Sequence, residues 1–524
     1  MSGALHGTAG LLAAYATVQG PMLSALWRAH APARRWLLAP LAAVPVTVLA
    51  AATLAGGSAL AHAVGVGPVF TELLGVGLTA GCGYAAGRRL ARAPAATVHQ
   101  RGALISAAPA TARAQGQALS LGGVALREAD ETKHFKLIGT TGTGKSTAIQ
   151  ELLGAALARG DRAVIADPDG GYLRSFFDAR RGDALLNPFE PHSARWDLFG
   201  EIADDYDVEQ LARSLIPDHE GADRSWRGYA RTFFSAVASQ AHAAGSRDVR
   251  ELYRLLVIAG TGELRTLVAG TPAQPFLEEH NGRMFESIRS VTSSAVGALE
   301  YVARQSAPPL AVRSWVREPE AGQVLFLPYR ASQIAALRAT ISAWMRLAIF
   351  EAMQREERQQ RLWFVVDELD ALGQIDGLKD ALARLRKFGG RCVLGFQSVA
   401  QVSSTYGMGE AQTLVENCGN TLILRCSGSE HGGTSLFASR LVGEREVRRM
   451  QRSRSRSPGQ LFTSVTESEH LHTEPALMAA EIEQLPDLQG FLKVASVPHW
   501  QAVRLAPRAP PAVSRALEPG AEYD

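Results

Sequence analysis

The sequence predicts an α/β fold built around a parallel sheet, with a helical segment inserted in it and an apolar segment ahead of it. Three observations lead there. A short apolar strand at 135–138 runs into a glycine-rich loop and an amphipathic helix ending near Ala158. A second apolar strand follows at once (Ala163-Val164-Ile165-Ala166), and a third at 362–366 ends in two carboxylates. Strand, helix and strand within about thirty residues call for a parallel crossover. The chain has 524 residues, enough for three or so compact units at ~100–200 residues each. Hydrophobic residues at 46% and charged residues at 20% exclude a disordered, solvating chain. Fifty-four basic residues against 51 acidic ones leave only +3, so any nucleic-acid surface must be local. Nearly all the positive charge is arginine, which a base-composition bias of the source explains; the six lysines are Lys133, Lys136, Lys145, Lys379, Lys387 and Lys493. Cys82, Cys392, Cys418 and Cys426 form no C-x-x-C pair and no Cys/His metal spacing, which points to a reducing compartment and no zinc site.

The N-terminal region reads as a membrane anchor. Between Arg35 and Glu72 there is no charged residue, and two apolar stretches, 37–55 and 66–86, are separated by the Gly-rich 56–67. Each is about as long as a spanning helix requires. Arg28, Arg34 and Arg35 precede the first and Arg88, Arg89 and Arg92 follow the second, so the positive-inside rule places both termini in the cytoplasm. Glu72 then falls within or at the edge of the bilayer, because residues 73–86 alone reach only ~21 Å of a ~30 Å core. Residues 5–27 are also apolar, but Gln19, Gly20 and Pro21 interrupt them and they receive no assignment.

After an Ala-, Gly- and Arg-rich connection at 94–127 comes the loop Gly139-Thr140-Thr141-Gly142-Thr143-Gly144-Lys145-Ser146. This is G-x-x-x-x-G-K-[ST] in full. Its glycines let successive N–H groups turn towards phosphate oxygens, Lys145 supplies a point charge to the β and γ phosphates, and the Ser146 hydroxyl ligates Mg²⁺. These residues, with Thr147 behind them, are the expected ATP-binding set. Asp167, in Asp167-Pro168-Asp169-Gly170, is either a site residue at a strand's carboxyl end or plain turn chemistry.

Far downstream, Leu362-Trp363-Phe364-Val365-Val366-Asp367-Glu368 has the pattern of a Walker B strand. Asp367 is expected in the Mg²⁺ shell through water, and Glu368 is expected to orient or deprotonate the attacking water. A helix at about 377–388 carries Arg384, Arg386 and Lys387 and is capped by Gly389-Gly390. The next strand, 391–396, delivers Gln397 and Ser398 at its carboxyl end, where open α/β sheets place ligand groups. Gln397 is the candidate γ-phosphate sensor; Ser398 also suits an N-cap. Between the second strand and Asp367, residues 195–312 carry helical periodicity at 206–215, 226–243, 249–256 and 287–303, which reads as an inserted all-α domain.

The loop 139–146, Asp167-Pro168-x-Gly170, Asn187-Pro188, Ile341-Ser342-Ala343-Trp344, 362–369, Gly395-Phe396-Gln397-Ser398, Gly443-Glu444-x-Glu446-Val447 and Ala480-Glu481-Ile482-x-x-Leu485-Pro486-Asp487 together resemble the type IV coupling proteins. These are the TraD/TrwB-like ATPases of conjugation and type IV secretion. The resemblance runs over roughly residues 10–505 and implies a RecA-like P-loop NTPase core with an inserted all-α domain, preceded by a two-helix transmembrane anchor. On that basis residues 1–93 are the anchor, 94–194 and 313–505 the two parts of the nucleotide-binding domain, 195–312 the insertion, and 506–524 a flexible tail. The resemblance also implies an inner-membrane homo-hexamer that uses ATP and Mg²⁺ to feed relaxase-bound DNA, with little sequence preference, into a type IV secretion channel. By motif match, Arg386 stands where the family places a finger that reaches the neighbouring subunit's ATP. The external loop, a dozen residues or fewer, looks shorter than is common in the family.

Three other readings compete. A septal DNA pump of the FtsK/SpoIIIE type would show more spans, a long linker and a terminal winged helix, none of which the sequence offers. An ATP-dependent recruiter of protein effectors, without DNA transport, leaves no distinguishing residue. A scaffold using ATP only to assemble has no need of intact Lys145, Asp367 and Glu368. The arginine-rich stretch 448–457 reads as a solvated loop or a nucleic-acid contact.

Overall fold

The computed structural model describes residues 2–29, 31, 33–64, 68–91, 98–107, 119–218, 224–318, 322–354, 361–430, 432–455 and 464–507. Arg92, part of the 94–127 connection, the end of the arginine-rich stretch and the tail from 508 lie outside them. The chain divides into two compact units, residues 1–101 with 445–474, and residues 102–444 with 475–524.

In the first unit the helices Ser2–Arg28, Ala33–Val64 and Pro68–Ala91 pack against one another. Residues 5–27, unassigned from sequence, are part of a continuous helix that accommodates Pro21 in its interior. Glycine allows the closest approach: a Cβ at Gly83 would sit 2.3 Å from the Val18 carbonyl, and one at Gly87 2.6 Å from that of Met22. Met22, Leu26, Ala39 and Ala43 close the packed centre, while Leu37, Leu41, Leu49 and Leu73 remain exposed. The two expected spans are not both found. Among the described residues one segment, Arg35–Ala52, is long and apolar enough to cross a membrane. The stretch at 66–86 belongs to the helix Pro68–Ala91, but Glu72 and its many glycines dilute its apolar character. Of the Gly-rich 56–67, residues 56–64 are not a loop either, since helix continues to Val64.

The arginine-rich stretch corrects a further expectation. Through Ser455 it is strand: Glu444–Ser455 lies between Val98–Gly102 and Ser464–Pro475 in a three-stranded sheet. Arg445 and Arg449 both reach Glu474, at 2.9 and 2.6 Å, and Arg101 reaches Glu446 at 2.7 Å. Cross-strand pairing of opposite charge lets so basic a segment sit in a sheet. The described residues 445–455 and 464–474 therefore pair outside the large sheet, although the sequence placed all of 313–505 in the core.

The second unit is organised by a ten-stranded sheet. Its order is Ala184–Leu185, Val324–Tyr329, Arg162–Pro168, Leu362–Val366, Gly390–Phe396, Phe135–Ile138, Asn420–Ile423, Gln489–Lys493, Trp500–Arg504 and Ile105–Ser106. Pairings across it are parallel except the two made by Gln489–Lys493. The central strands are buried on both faces, as near-continuous apolar runs in a parallel sheet should be. Ile105–Ser106 joins the sheet edge, and Ser120–Leu121 pairs with Val124–Ala125, so the described part of 94–127 is more than a connection. Gly395 marks a tight crossing, since a Cβ there would lie 1.9 Å from the Asp367 carbonyl oxygen.

Helices Asp205–Leu215, Arg224–Ala243, Val249–Tyr253, Thr261–Leu267, Gly282–Val296 and Leu299–Arg304 fill the insertion, with a π-helical turn at Arg254–Ile258. Arg195–Trp196 pairs with Pro309–Leu310 where the chain leaves and rejoins the core. Trp196 stacks edge-on against Trp344 at 5.7 Å. Buried Arg346 links the insertion to the loop beyond Asp367, donating to Ser214 Oγ at 3.0 Å and to the Asp376 carbonyl at 3.1 Å.

His134, just ahead of the glycine loop's strand, is buried with both ring nitrogens used. Nδ1 accepts from the Cys392 N–H at 3.1 Å, so Nε2 carries the hydrogen and donates to the Leu382 carbonyl at 2.9 Å. Burial pulls its pKa from 6.5 to about 4. The stability this neutral ring contributes is complete above about pH 6.5 and is lost as pH falls towards 4, a loss on the order of 3 kcal/mol. Unfolding of the full chain across that range should show a steeper loss for wild type than for His134→Asn, whose amide oxygen can accept in place of Nδ1 without titrating. Parallel curves would refute this.

Candidate nucleotide site

The carboxyl ends of four adjacent strands converge on one edge of the large sheet. Phe135–Ile138 opens into the glycine loop, Leu362–Val366 into Asp367 and Glu368, Gly390–Phe396 into Gln397, and Arg162–Pro168 into Asp169 and the short helix Gly171–Phe176. They enclose a cleft of about 350 Å³.

Loop shape comes from its glycines and from two inward-turned threonines. Gly142 and Gly144 have φ of 78° and 117°, which a side chain would resist. Thr143 Oγ1 donates to the Thr140 carbonyl at 2.7 Å, and Thr140 Oγ1 to the Arg425 carbonyl at 3.2 Å. Thr141, Gly142, Gly144, Lys145, Ser146 and Thr147 face the cleft. Gly139, Thr140 and Thr143 do not line it; they hold the loop from behind. Helix Lys145–Ala158 starts here, and the unpaired N–H groups of its first turn, with the positive end of its dipole, favour an anion. Lys145 lies across the loop, its Nζ donating to the Gly139 carbonyl at 2.5 Å and the Thr140 carbonyl at 3.2 Å. Burial lowers its pKa, opposed by the negative charges of Asp367 and Glu368.

On the facing wall, Asp367 Oδ2 accepts from Ser146 Oγ at 2.7 Å and from the Tyr172 hydroxyl at 2.7 Å. A hydroxyl beside a carboxylate is an all-oxygen donor pair, the hard chemistry that suits Mg²⁺. Glu368 Oε1 accepts from Gln397 Nε2 at 2.5 Å, and Gln397 Oε1 accepts from Thr141 Oγ1 at 3.0 Å. A continuous bonded path thus runs from the loop to the second carboxylate. Burial raises the Glu368 pKa, and the charges of Asp370 and Asp367 raise it further.

Asp167 takes the turn role of its two readings. It is fully buried and does not line the cleft, and it accepts the backbone N–H groups of Tyr172 at 3.1 Å and Leu173 at 2.7 Å. Burial lifts its pKa to about 7. Arg386 is not brought to this cleft. It lies exposed in the turn ahead of Gly390–Phe396, at the amino ends of the strands, about 20 Å of strand from Gln397. Arg384 and Lys387 are exposed beside it. Sequence reasoning missed Tyr172, Gln150 and Leu488, which line the cleft outside any motif, and passed over Asp169, which lines it from within the Asp167-Pro168-Asp169-Gly170 turn.

The family described as type IV secretion-system coupling protein DNA-binding domain matches residues 118–506. The chain belongs to the type IV secretion-system coupling proteins. The coupling protein TraD of Escherichia coli (strain K12) is 30% identical over 394 residues, 74% of this chain and 54% of TraD, so the chain spans about half the length of that curated relative. Among solved coupling-protein structures, bacterial conjugative coupling protein TrwBdeltaN70 in an unbound form superposes with a TM-score of 0.71 at 31% identity, covering 80% of this chain and 96% of that one. Plasmid coupling protein TrwB in complex with ADP and Mg²⁺ gives 0.71 at 30% identity over 81% and 98%. Its complex with a non-hydrolysable ATP analogue gives 0.70 at 30% identity over 80% and 96%. The RecA-like core expected of a coupling protein is the fold these superpositions share.

Proposed function

We propose that this chain is an ATP hydrolase that drives DNA, presented as a relaxase complex, towards a type IV secretion channel. The observation that carries the reading is the assembled pair of Ser146 and Asp367 beside the Lys145 loop, in a chain of the coupling-protein family. The loop N–H groups and Lys145 bind the triphosphate. Ser146 and, through water, Asp367 would hold Mg²⁺, which when bound offsets phosphate charge. Glu368, made more basic by burial, accepts a proton from water as that water's oxygen bonds to the γ-phosphorus and the bond to the β-phosphate oxygen breaks. Gln397 bridges Glu368 and Thr141, so it is placed to report whether the γ-phosphate is present.

The apolar helix over Arg35–Ala52 supports inner-membrane placement. In this reading the helix Pro68–Ala91 crosses as well, with both termini and the catalytic core cytoplasmic. Six copies form a ring, and Arg386, which cannot serve its own cleft, is directed to a neighbour's. DNA binding is mostly to the phosphate backbone. Full-length protein in detergent should hydrolyse ATP faster when DNA is added, and the stimulation should fall steeply as salt rises. Turnover indifferent to DNA at every salt concentration would remove DNA from the proposal.

A further inference from the structure

Tyr172 belongs to no motif, yet its ring is buried in the packing of the large sheet and its hydroxyl meets the metal-side carboxylate. Among the described residues, two side chains donate to the Asp367 carboxylate, Ser146 and Tyr172, both on Oδ2 at 2.7 Å. Their situations differ. Ser146 is exposed on the loop, and its hydroxyl can lend a lone pair to a cation while its hydrogen still points to Asp367. Tyr172 is 2% exposed and held from behind. Asp167 accepts the N–H groups of Tyr172 and Leu173, which fixes the start of the short helix and the direction of the ring. We propose that Tyr172 is a positioning residue for divalent cation binding: it holds Asp367 aimed at Ser146 from a buried position, whereas Ser146 holds the same carboxylate only from the exposed loop. The Asp167-Pro168-Asp169-Gly170 turn then acts on the site through one tyrosine.

The physical reason is the freedom of an aspartate side chain. A carboxylate has two oxygens and about four lone-pair directions, and one anchoring donor selects among them. Without the tyrosine hydroxyl the carboxylate keeps only the donor on the exposed loop, rotates more freely and loses part of its contact with the cation's water shell. Groups that orient metal-side ligands in this way typically change metal affinity by 10–100-fold.

This inference rests on the nucleotide reading above, and the experiment separates the two. Binding of a fluorescent ADP analogue to the full chain is measured in EDTA and across a Mg²⁺ titration, for wild type and Tyr172→Phe. Phenylalanine keeps the ring packing and removes the hydroxyl. Affinity in EDTA should stay within about twofold, while the Mg²⁺ concentration at half-effect rises on the order of tenfold and excess Mg²⁺ restores binding. Asp167→Ala, which frees the helix start without touching the ring, should shift the titration in the same direction and carries the test should Tyr172→Phe fold poorly. Superimposable titrations overturn the inference, and so does an equal loss of affinity with and without Mg²⁺, which signals packing alone. Both outcomes leave the nucleotide reading intact. A wild-type chain whose nucleotide affinity ignores Mg²⁺ would overturn that reading and this inference with it.

Discussion

Glu368→Gln should lower ATP turnover by about 10²–10⁴ while leaving ATP affinity nearly unchanged, the range a positioned general base contributes. The substitution keeps the size of the side chain and its contact with Gln397, but removes the group that can take the water's proton. Lys145→Ala should act at an earlier step. Its ammonium is the buried cation of the loop, and without it the phosphates lose their point charge, so nucleotide binding itself should fail. Equilibrium binding and single-turnover hydrolysis measured on the same preparations distinguish the two effects. Equal loss of binding in both variants would show that Glu368 supports the loop through Gln397 and Thr141, with no part in the chemistry.

A second large effect is expected at Arg386. Seen from its own cleft it lies at the wrong edge of the sheet, so any catalytic contribution must act across a subunit boundary. Arginines supplied in trans contribute about 10³–10⁵ in rate in other phosphoryl-transfer systems, because they meet charge that develops on the γ-phosphate in the transition state. Turnover by wild type should therefore rise faster than linearly with protein concentration. Arg386→Ala should be nearly inactive with ATP affinity intact, and mixing it with Lys145→Ala should restore some activity, since one subunit then supplies the arginine and its neighbour the intact pocket. A mixture that stays inactive, while each variant still assembles with wild type, moves the search to Arg384 or Lys387.

The N-terminal helices show where sequence reading stops. Gln19-Gly20-Pro21 has the composition of a break, yet the helix Ser2–Arg28 passes through it. What holds that helix is its contact with Gly83 and Gly87, about sixty residues on, where missing side chains let two backbones touch. No local pattern announces such a partner. The arginine-rich strand failed for a related reason: its charge reads as solvated until Glu474 is found across the pair. Hydrophobic periodicity, by contrast, located the strands at 135–138, 163–166, 362–366 and 391–396 and four helical stretches of the insertion, because burial leaves its period in contiguous residues, though it passed over the buried strand Val324–Tyr329 and the helix Thr261–Leu267.

The same division runs through the site. Sequence by itself determined the glycine loop, Asp367, Glu368 and Gln397, because each stands at the end of an apolar strand and needs a particular residue type at a particular offset. Backbone torsion and strand period act over a few residues, so they are written in a few residues. Only the tertiary structure decided that Asp167 would clamp a turn, that Tyr172 would share Asp367 with Ser146, and that Arg386 would face away from its own cleft. Those outcomes depend on strand order: Tyr172 and Asp367 are 195 positions apart, Ser146 and Asp367 221. They meet because the strand Arg162–Pro168 lies directly beside Leu362–Val366 in the sheet, with parallel register from Arg162 opposite Leu362 to Ala166 opposite Val366. Each local segment is compatible with several neighbours, and the choice among them is made by the packing of the whole sheet, which no single stretch of sequence contains.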